Sequence, residues 1–372
     1  MPVKPVNLRI PGPTACPEDV LLAGAKPMVN HRGPEFRELI TRVNQRLKTV
    51  FQTKNDVLML TTSGTGGLES AIVNTLSSGD KLLAVSIGSF GDRFAAIGEA
   101  YGAKVIKQSY PWGEAADPEA IRKALREDPE IKAVAVTHNE TSTGVTNDLE
   151  TIARIVREHD RLLLVDAVSS LSCIPLPVDG WDCDVVVTGS QKGFMIPPGL
   201  AFVSVGPRAW DAFKKAKMPR FYFDFQRHKT SFERGETPWT PAVSLFFSLD
   251  LALDKMLAEG MENVYGRHAR LGSLTRREVK ALGFRLVCKD ERYASNTVTA
   301  AYVPEGVQDR VLRTMMRTEE NVVVAEGQGQ LSGKIIRVGH MGYCSENEIT
   351  DAMRALRRVM EKLAATTAQG PH

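Results

Sequence analysis

The sequence predicts an α/β fold with a large domain built on a mixed, mostly parallel seven-stranded sheet and a smaller C-terminal α+β domain. Short, nearly all-apolar segments alternate with helix-like segments up to residue 205, which is typical of parallel strands buried on both faces. The last of these segments are too close together to have a helix between each pair, so one strand is expected to be antiparallel. The predicted strands are residues 57–61, 81–87, 104–108, 132–137, 161–166, 184–188 and 200–205.

Residues typical of helix ends predict the helices of the large domain. Asp117 followed by Pro118 is a typical helix start, and Asn147 with Glu150 three residues later resembles a capping box. Further helices are predicted over residues 35–50, 244–259 and 261–282.

The pattern changes after the second long helix, where short strands are interleaved with few helices. One helix is expected near residues 307–317, and a last helix opens at Ser345 with Glu348 as its capping partner. The strands predicted here are residues 284–289, 297–303, 322–325 and 334–338.

We therefore divide the chain into three parts. Residues 1–15 are rich in proline, which excludes a regular helix and predicts an extended N-terminal arm. Residues 16–258 form the large domain and residues 259–372 the small C-terminal domain.

Composition excludes several classes of protein. The chain has 372 residues, and 47 Lys and Arg against 44 Asp and Glu give a net charge of +3, so neither a nucleic acid nor a membrane is expected as a partner. Five cysteines without a C-x-x-C pair and seven histidines without H-x-x-x-H suggest neither a disulfide framework nor a metal site. Free thiols and the lack of a long apolar run predict a cytoplasmic protein.

A loop rich in glycine and small hydroxyl residues, TSGTGGLE at residues 62–69, lies between a predicted strand and a helix. Backbone N–H groups at such a helix N-terminus can bind an anion such as phosphate. A tight strand-to-helix turn without a ligand explains the same residues equally well.

Two further side chains follow buried strands. Asp166 ends one apolar strand, where open α/β sheets bind ligands, although a helix cap or turn is an alternative role for an aspartate there. Lys192 follows the next strand in the segment Thr188-Gly189-Ser190-Gln191-Lys192-Gly193. Burial between small residues can lower the pKa of a lysine and make its amine a nucleophile, but most lysines are simply surface residues.

Together the loop, the carboxylate and the lysine match what pyridoxal phosphate requires. A lysine holds the aldehyde of this cofactor as an imine, a carboxylate keeps its pyridine nitrogen protonated, and a loop anchors its phosphate. The sequence therefore predicts a site for pyridoxal 5'-phosphate.

The same residues resemble the class V aminotransferases, and within them the alanine–glyoxylate and serine–glyoxylate aminotransferases. The resemblance implies pyridoxal-phosphate fold type I and extends from about residue 11 to residue 342. It is carried by TSGTGGLE at 62–69, HNETSTG at 138–144, DAVSS at 166–170, GSQKG at 189–193 with PPG at 197–199, and RVG at 337–339.

The resemblance implies a role for each matched residue. Lys192 would form the internal aldimine and move the proton between the substrate Cα and the cofactor. Asp166 would pair with the pyridine nitrogen, and Thr141 would lie on the side of the ring hydroxyl. The remaining cofactor contacts that the resemblance implies are Ser63, Gly64, Thr65 and Gln191 at the phosphate, Val168, and Phe90 stacked on the ring. A core aromatic is the alternative role for Phe90.

Substrate and partner contacts follow from the same comparison. Arg337 matches the arginine that binds the substrate carboxylate, a task suited to a planar guanidinium. His31 lies in a segment near the mouth of the active site in the family. Thr240 matches a residue that reaches the phosphate of the neighbouring subunit, so a homodimer with a shared active site is expected.

The sequence favours an aminotransferase that works by a ping-pong mechanism, with alanine or serine as donor and glyoxylate as acceptor. Other class V specificities stay open, namely aspartate, ureidoglycine or aminoethylphosphonate as donor and pyruvate as acceptor. A pyridoxal-phosphate lyase that uses Cys344 and a non-catalytic interaction subunit are the remaining alternatives.

Overall fold

The computed structural model describes residues 6–368, so residues 1–5 of the predicted arm and residues 369–372 lie outside the described part of the chain. The helices are α1 (Glu18–Gly24), α2 (Pro34–Phe51), α3 (Gly64–Thr75), α4 (Ser89–Ala100), α5 (Pro118–Glu127), α6 (Leu149–Glu158), α7 (Pro207–Phe213), α8 (Phe225–Phe232), α9 (Val243–Glu259), α10 (Met261–Ala281), α11 (Asp309–Thr318) and α12 (Glu346–Ala368). The strands are β1 (Asn7–Arg9), β2 (Asp56–Leu60), β3 (Lys81–Ser86), β4 (Lys104–Ser109), β5 (Ile131–Thr137), β6 (Asn139–Glu140), β7 (Val145–Thr146), β8 (Leu162–Asp166), β9 (Val185–Gly189), β10 (Ala201–Val205), β11 (Arg285–Leu286), β12 (Val298–Tyr302), β13 (Val322–Glu326) and β14 (Ile335–Gly339).

The large sheet has seven strands in the order β2-β10-β9-β8-β5-β3-β4. Strand β10 is antiparallel to both of its neighbours, and all other pairs are parallel, which confirms the predicted mixed sheet. Because β10 is antiparallel to both β2 and β9, those two strands run in the same direction. The carboxyl ends of six strands therefore meet at one edge of the sheet.

Helices cover both faces of the large sheet. Val134 and Val136 of β5 pack in a core with α2, α5, α6 and α9, whereas Ala133 and Ala135 pack in a second core with α3 and α4. Strands buried on both faces need apolar residues at consecutive positions, which explains why the sequence pattern is continuous rather than alternating.

The small sheet has the order β1-β13-β14-β12-β11 and packs against α10, α11 and α12. Strand β1 is parallel to β13, so residues 7–9 of the predicted arm join the sheet of the small domain in the same chain. The domain boundaries at residues 15/16 and 258/259 stay predictions.

Two of the predicted helix starts are confirmed. Asp117 caps α5 by accepting from the backbone N–H of Glu119 at 2.9 Å. At the start of α12, Ser345 and Glu348 form a reciprocal capping box, with two bonds of 2.8 Å to the glutamate and one of 3.3 Å back to the serine.

Among the described helices, none combines the length and apolar character needed to cross a membrane.

The predicted capping box of Asn147 and Glu150 is wrong. Asp148 caps α6 instead, accepting from a backbone N–H three residues later at 3.1 Å. The side chain of Asn147 donates to the carbonyl of Thr137 and accepts from the backbone N–H of Ala116, both at 2.8 Å. A buried amide that joins three segments is used for packing and is not free to cap a helix.

Candidate active site

A cavity of about 200 Å³ lies at the edge of the large sheet where the carboxyl ends of the strands meet. It collects residues that are far apart in the chain, and most of the residues predicted from the sequence are among them. The lining residues are Gly12, Pro13, Ser63, Gly64, Thr65, Leu68, Phe90, Arg93, Asp166, Val168, Gln191, Lys192 and Pro198.

One wall of the cavity is the N-terminus of α3. Ser63 is the N-cap residue in an extended conformation, and no side chain among the described residues caps the helix. A Cβ atom on Gly64 would lie 2.7 Å from the side chain of Val168, so only glycine allows this close approach. The first backbone N–H groups of α3 therefore remain available to bind an anion.

Lys192 is 9% exposed and follows β9 at the same edge. The pKa of the amine is lowered to about 8. Burial is the largest cause and the positive charge of Arg337 is the second. Its Nζ donates to the carbonyl of Pro11, and a Cβ atom on Gly12 would lie 2.7 Å from that Nζ. Gly12 has a φ of 124°, so both conformation and space require glycine there. No motif in the sequence predicts this contact between residues 11–12 and the lysine.

Asp166 ends β8 and is 4% exposed. Burial raises the pKa of this carboxyl group to about 6, although the backbone N–H of Val168 donates to it at 2.9 Å and opposes the shift. Within residues 6–368 Asp166 forms no ion pair. A protonated heterocyclic nitrogen is a ligand that such a buried carboxylate would stabilise.

Phe90 lines the cavity from the first turn of α4. The guanidinium of Arg93 lies 4.8 Å from the centroid of its ring. Arg93 also lines the cavity, although it is not among the site residues predicted from the sequence. Its spacing of three residues from Phe90 on one helix face was the signal that could have indicated it.

Thr141 and Arg337 are buried beside each other but do not line the cavity. Arg337 donates from Nη1 to the carbonyl of Thr141 at 3.2 Å and from Nε to the carbonyl of Glu326 at 2.8 Å. Burial lowers the pKa of the guanidinium to about 10. Its positive charge is also the second cause, after burial, of the lowered pKa of Lys192.

Two predicted residues lie away from the cavity. His31 is half-buried in the turn before α2, and Thr240 is exposed in the segment before α9. Neither is among the residues that line the cavity of this chain. Their roles as a substrate contact and as a phosphate ligand of a second subunit stay predictions.

The residues around the cavity fit pyridoxal phosphate. An uncapped helix N-terminus suits the phosphate, a buried carboxylate suits the pyridine nitrogen, and an amine of low pKa suits the aldehyde. In addition, Gln191 lines the cavity, and its side-chain amide can donate from Nε2 to a phosphate.

Comparison with known families decides between the classes of protein that this cavity allows. The family model described as aminotransferase class-V matches residues 18–351, which is most of the chain. The chain belongs to the class V aminotransferases. It is therefore a pyridoxal-phosphate-dependent transaminase of fold type I, as the sequence predicted.

Three relatives of this aminotransferase span almost the whole chain. The small subunit of a soluble hydrogenase from Synechococcus sp. is 45% identical, covering 96% of this chain and 94% of that protein. An L-aspartate–glyoxylate aminotransferase from Paracoccus denitrificans is 39% identical, covering 92% and 87%. A serine–glyoxylate aminotransferase from Methylorubrum extorquens is 38% identical, covering 93% and 89%.

A solved structure shows the same fold. The crystal structure of an alanine–glyoxylate aminotransferase from Nostoc sp. superposes with a TM-score of 0.91 at 30% identity. The match covers 97% of this chain and 96% of that chain, so both the large and the small sheet belong to the shared fold.

Proposed function

We propose that this aminotransferase moves the amine of alanine or serine to glyoxylate in a ping-pong cycle. The observation that carries the proposal is the buried guanidinium of Arg337, whose Nη1 donates to the carbonyl of Thr141. One guanidinium can hold the α-carboxylate of an amino acid or of a 2-oxo acid, so one pocket serves both halves of the cycle. The aspartate, serine and alanine aminotransferases described above each also carry glyoxylate in their names.

Each residue at the cavity has a proposed task. Pyridoxal phosphate, when bound, supplies an electron sink for negative charge at the substrate Cα. Lys192 takes the proton from that carbon and returns it, and the lowered pKa of its amine increases the share of the neutral form that can accept a proton. Asp166 keeps a proton on the pyridine nitrogen. The N-terminus of α3 together with Gln191 binds the phosphate.

The alternative chemistries receive less support from the geometry. A lyase that transfers sulfur needs a mobile, reactive thiol, but Cys344 is buried next to the guanidinium of Arg9 and burial raises its pKa to about 11. A non-catalytic interaction subunit would have no use for a buried lysine and a buried carboxylate at one cavity.

The donor is tested by the visible absorbance of the purified protein, without any acceptor. We expect the band of the bound aldehyde cofactor to give way to a shorter-wavelength band of its aminated form when L-alanine or L-serine is added. D-alanine is the control and should leave the spectrum unchanged.

Three other results would contradict the proposal in different ways. A faster change with L-aspartate, or with an aminophosphonate, would assign another class V specificity. A band that no amino acid changes would exclude transamination. If no band forms even after pyridoxal phosphate is supplied, the interaction-subunit alternative is favoured.

We also propose that the protein is a cytoplasmic homodimer in which Thr240 of each chain reaches the phosphate site of the other. The exposure of Thr240 supports this, since it leaves the hydroxyl free to contact a second chain. Native mass spectrometry should give twice the mass of one chain. A fully active monomer would contradict the shared site.

The five free cysteines support the cytoplasmic location because they fit a reducing compartment. Cell fractionation tests that location.

A further inference from the structure

Glu140 is a fully buried carboxylate that the proposed mechanism does not use. It is 0% exposed and lies in β6, next to the cavity but not among its lining residues. Its Oε2 accepts from the backbone N–H groups of Phe90 and Gly91, both at 3.1 Å. Its Oε1 accepts from the backbone N–H of Ser142 at 3.0 Å and from the hydroxyl of the same serine at 2.5 Å.

These hydrogen bonds cap the N-terminus of α4. The hydroxyl of Ser142 also accepts from the backbone N–H of Ser89 at 3.0 Å, so three successive N–H groups of the first turn bind Glu140 or Ser142. Helix α4 has no cap from its own N-cap residue, Gly88. A Cβ atom on Gly88 would lie 2.5 Å from the Ser142 hydroxyl and 2.6 Å from the Glu140 side chain, so the absence of a side chain allows this contact.

The first turn of α4 is also the turn that carries Phe90 into the cavity. We propose that Glu140 is a positioning residue that holds Phe90 at the angle needed to stack on the cofactor ring. The carboxylate fixes the backbone of Phe90, and the guanidinium of Arg93 lies against its ring. This inference rests on the stacking role of Phe90 that the resemblance to the family implies.

Electrostatics links the same carboxylate to the rest of the site. The negative charge of Glu140 contributes to the raised pKa of Asp166, after the effect of burial. It also opposes the effect of burial on the pKa of Arg337. The positive end of α4 in turn stabilises the carboxylate, and such charge-assisted bonds are stronger than neutral ones. A neutral replacement would therefore loosen α4 and change the charge balance around the cofactor.

The test is a double-mutant cycle on the holoenzyme, with Glu140→Gln, Phe90→Ala and the combined variant. Glutamine has an NH2 group in place of one of the two carboxylate oxygens, so it cannot accept hydrogen bonds from the N–H groups on both sides. The hydrogen bonds on one side of the α4 cap are therefore lost. We expect Glu140→Gln to weaken pyridoxal-phosphate binding about tenfold, as loss of a charge-assisted bond would. It should also reduce the circular dichroism of the bound cofactor. On top of Phe90→Ala, the same change should weaken binding clearly less than it does in the parent protein, because only its effect on the charge around the cofactor remains.

Asp184→Asn is the matched control. Asp184 is also a buried carboxylate that accepts from a backbone N–H, that of Leu163 at 2.8 Å, but it lies at the amino end of β9, on the opposite edge of the sheet. This variant should lose thermal stability while it keeps the cofactor affinity and dichroism of the parent protein.

Two outcomes overturn the inference at different levels. If Phe90→Ala binds pyridoxal phosphate as well as the parent, the stacking role of Phe90 is wrong and the inference fails with it. If Phe90→Ala weakens binding but the effect of Glu140→Gln simply adds to it, only the positioning role is wrong. If Glu140→Gln does not fold, Ser142→Ala takes its place in the cycle, with the same expected non-additivity.

Discussion

Lys192→Ala is expected to lower the rate of amine transfer at least about 10⁴-fold, because in the proposed mechanism this one side chain supplies both the bond to the cofactor and the proton transfer at Cα. The structure prepares the amine for both tasks, since burial lowers its pKa to about 8. At neutral pH about a tenth of such amines are uncharged, far more than for a lysine of ordinary pKa. Positioned proton transfer is itself worth about 10²–10⁴-fold, so the combined loss should exceed most single substitutions.

The measurement is steady-state amine transfer from the preferred donor, together with borohydride reduction and mass spectrometry of the digested protein. The parent should carry a reduced cofactor on the peptide that contains Lys192, and the variant should carry none. Lys214→Ala is the control, since the Lys214 side chain is 71% exposed and pairs with Asp211 on the surface. Turnover in Lys192→Ala close to that of the control would refute the proposed mechanism.

Asp166→Asn is expected to slow the half-reaction with the amino donor about 10³-fold while the cofactor still binds. Asparagine keeps the size of the side chain and can still accept the N–H of Val168 but carries no charge. Removing one member of a buried ion pair costs about 3–5 kcal/mol, and each 1.36 kcal/mol is a factor of ten in rate. Burial raises the pKa of Asp166 only to about 6, so the parent carboxylate is ionised at neutral pH.

Single-turnover absorbance at saturating donor measures this effect without interference from product release. Asp184→Asn serves as the control again, since burial raises the pKa of that carboxyl group to about 6 as well. A rate for Asp166→Asn within about tenfold of the control would show that the ring nitrogen does not depend on this charge.

Much of the fold could be predicted because the large sheet is built from local patterns. Its strands are continuous apolar runs, and their observed ends differ from the predicted ones by one residue, as in β5 (Ile131–Thr137) and β8 (Leu162–Asp166). That one of the last strands is antiparallel could also be predicted, since the spacing along the chain leaves no room for a crossover helix between each pair. Only the structure identifies this strand as β10. Asn147 shows the limit of this approach, because a cap motif was assigned to an amide that joins three segments.

Much of the candidate site could be predicted for a related reason. Asp166 and Lys192 each directly follow a buried strand, and the carboxyl ends of parallel strands meet at one edge, so short motifs were enough to place them together. The chemistry expected of a loop, a carboxylate and a lysine then indicated the cofactor. Roles that depend on a second chain, such as that of Thr240, had no local signal beyond the resemblance to the family.

The sequence by itself determined which segments become strands and helices, and which kinds of side chain stand at the strand ends. Only the tertiary structure decided that Gly12 lies against Lys192, that Arg93 lies on the ring of Phe90, and that Glu140 caps a helix from another segment. Hydrophobic periodicity and helix caps are local properties, so the order of residues records them. Contacts between residues far apart in the chain depend on how the finished layers pack, and they leave no periodic pattern along the chain.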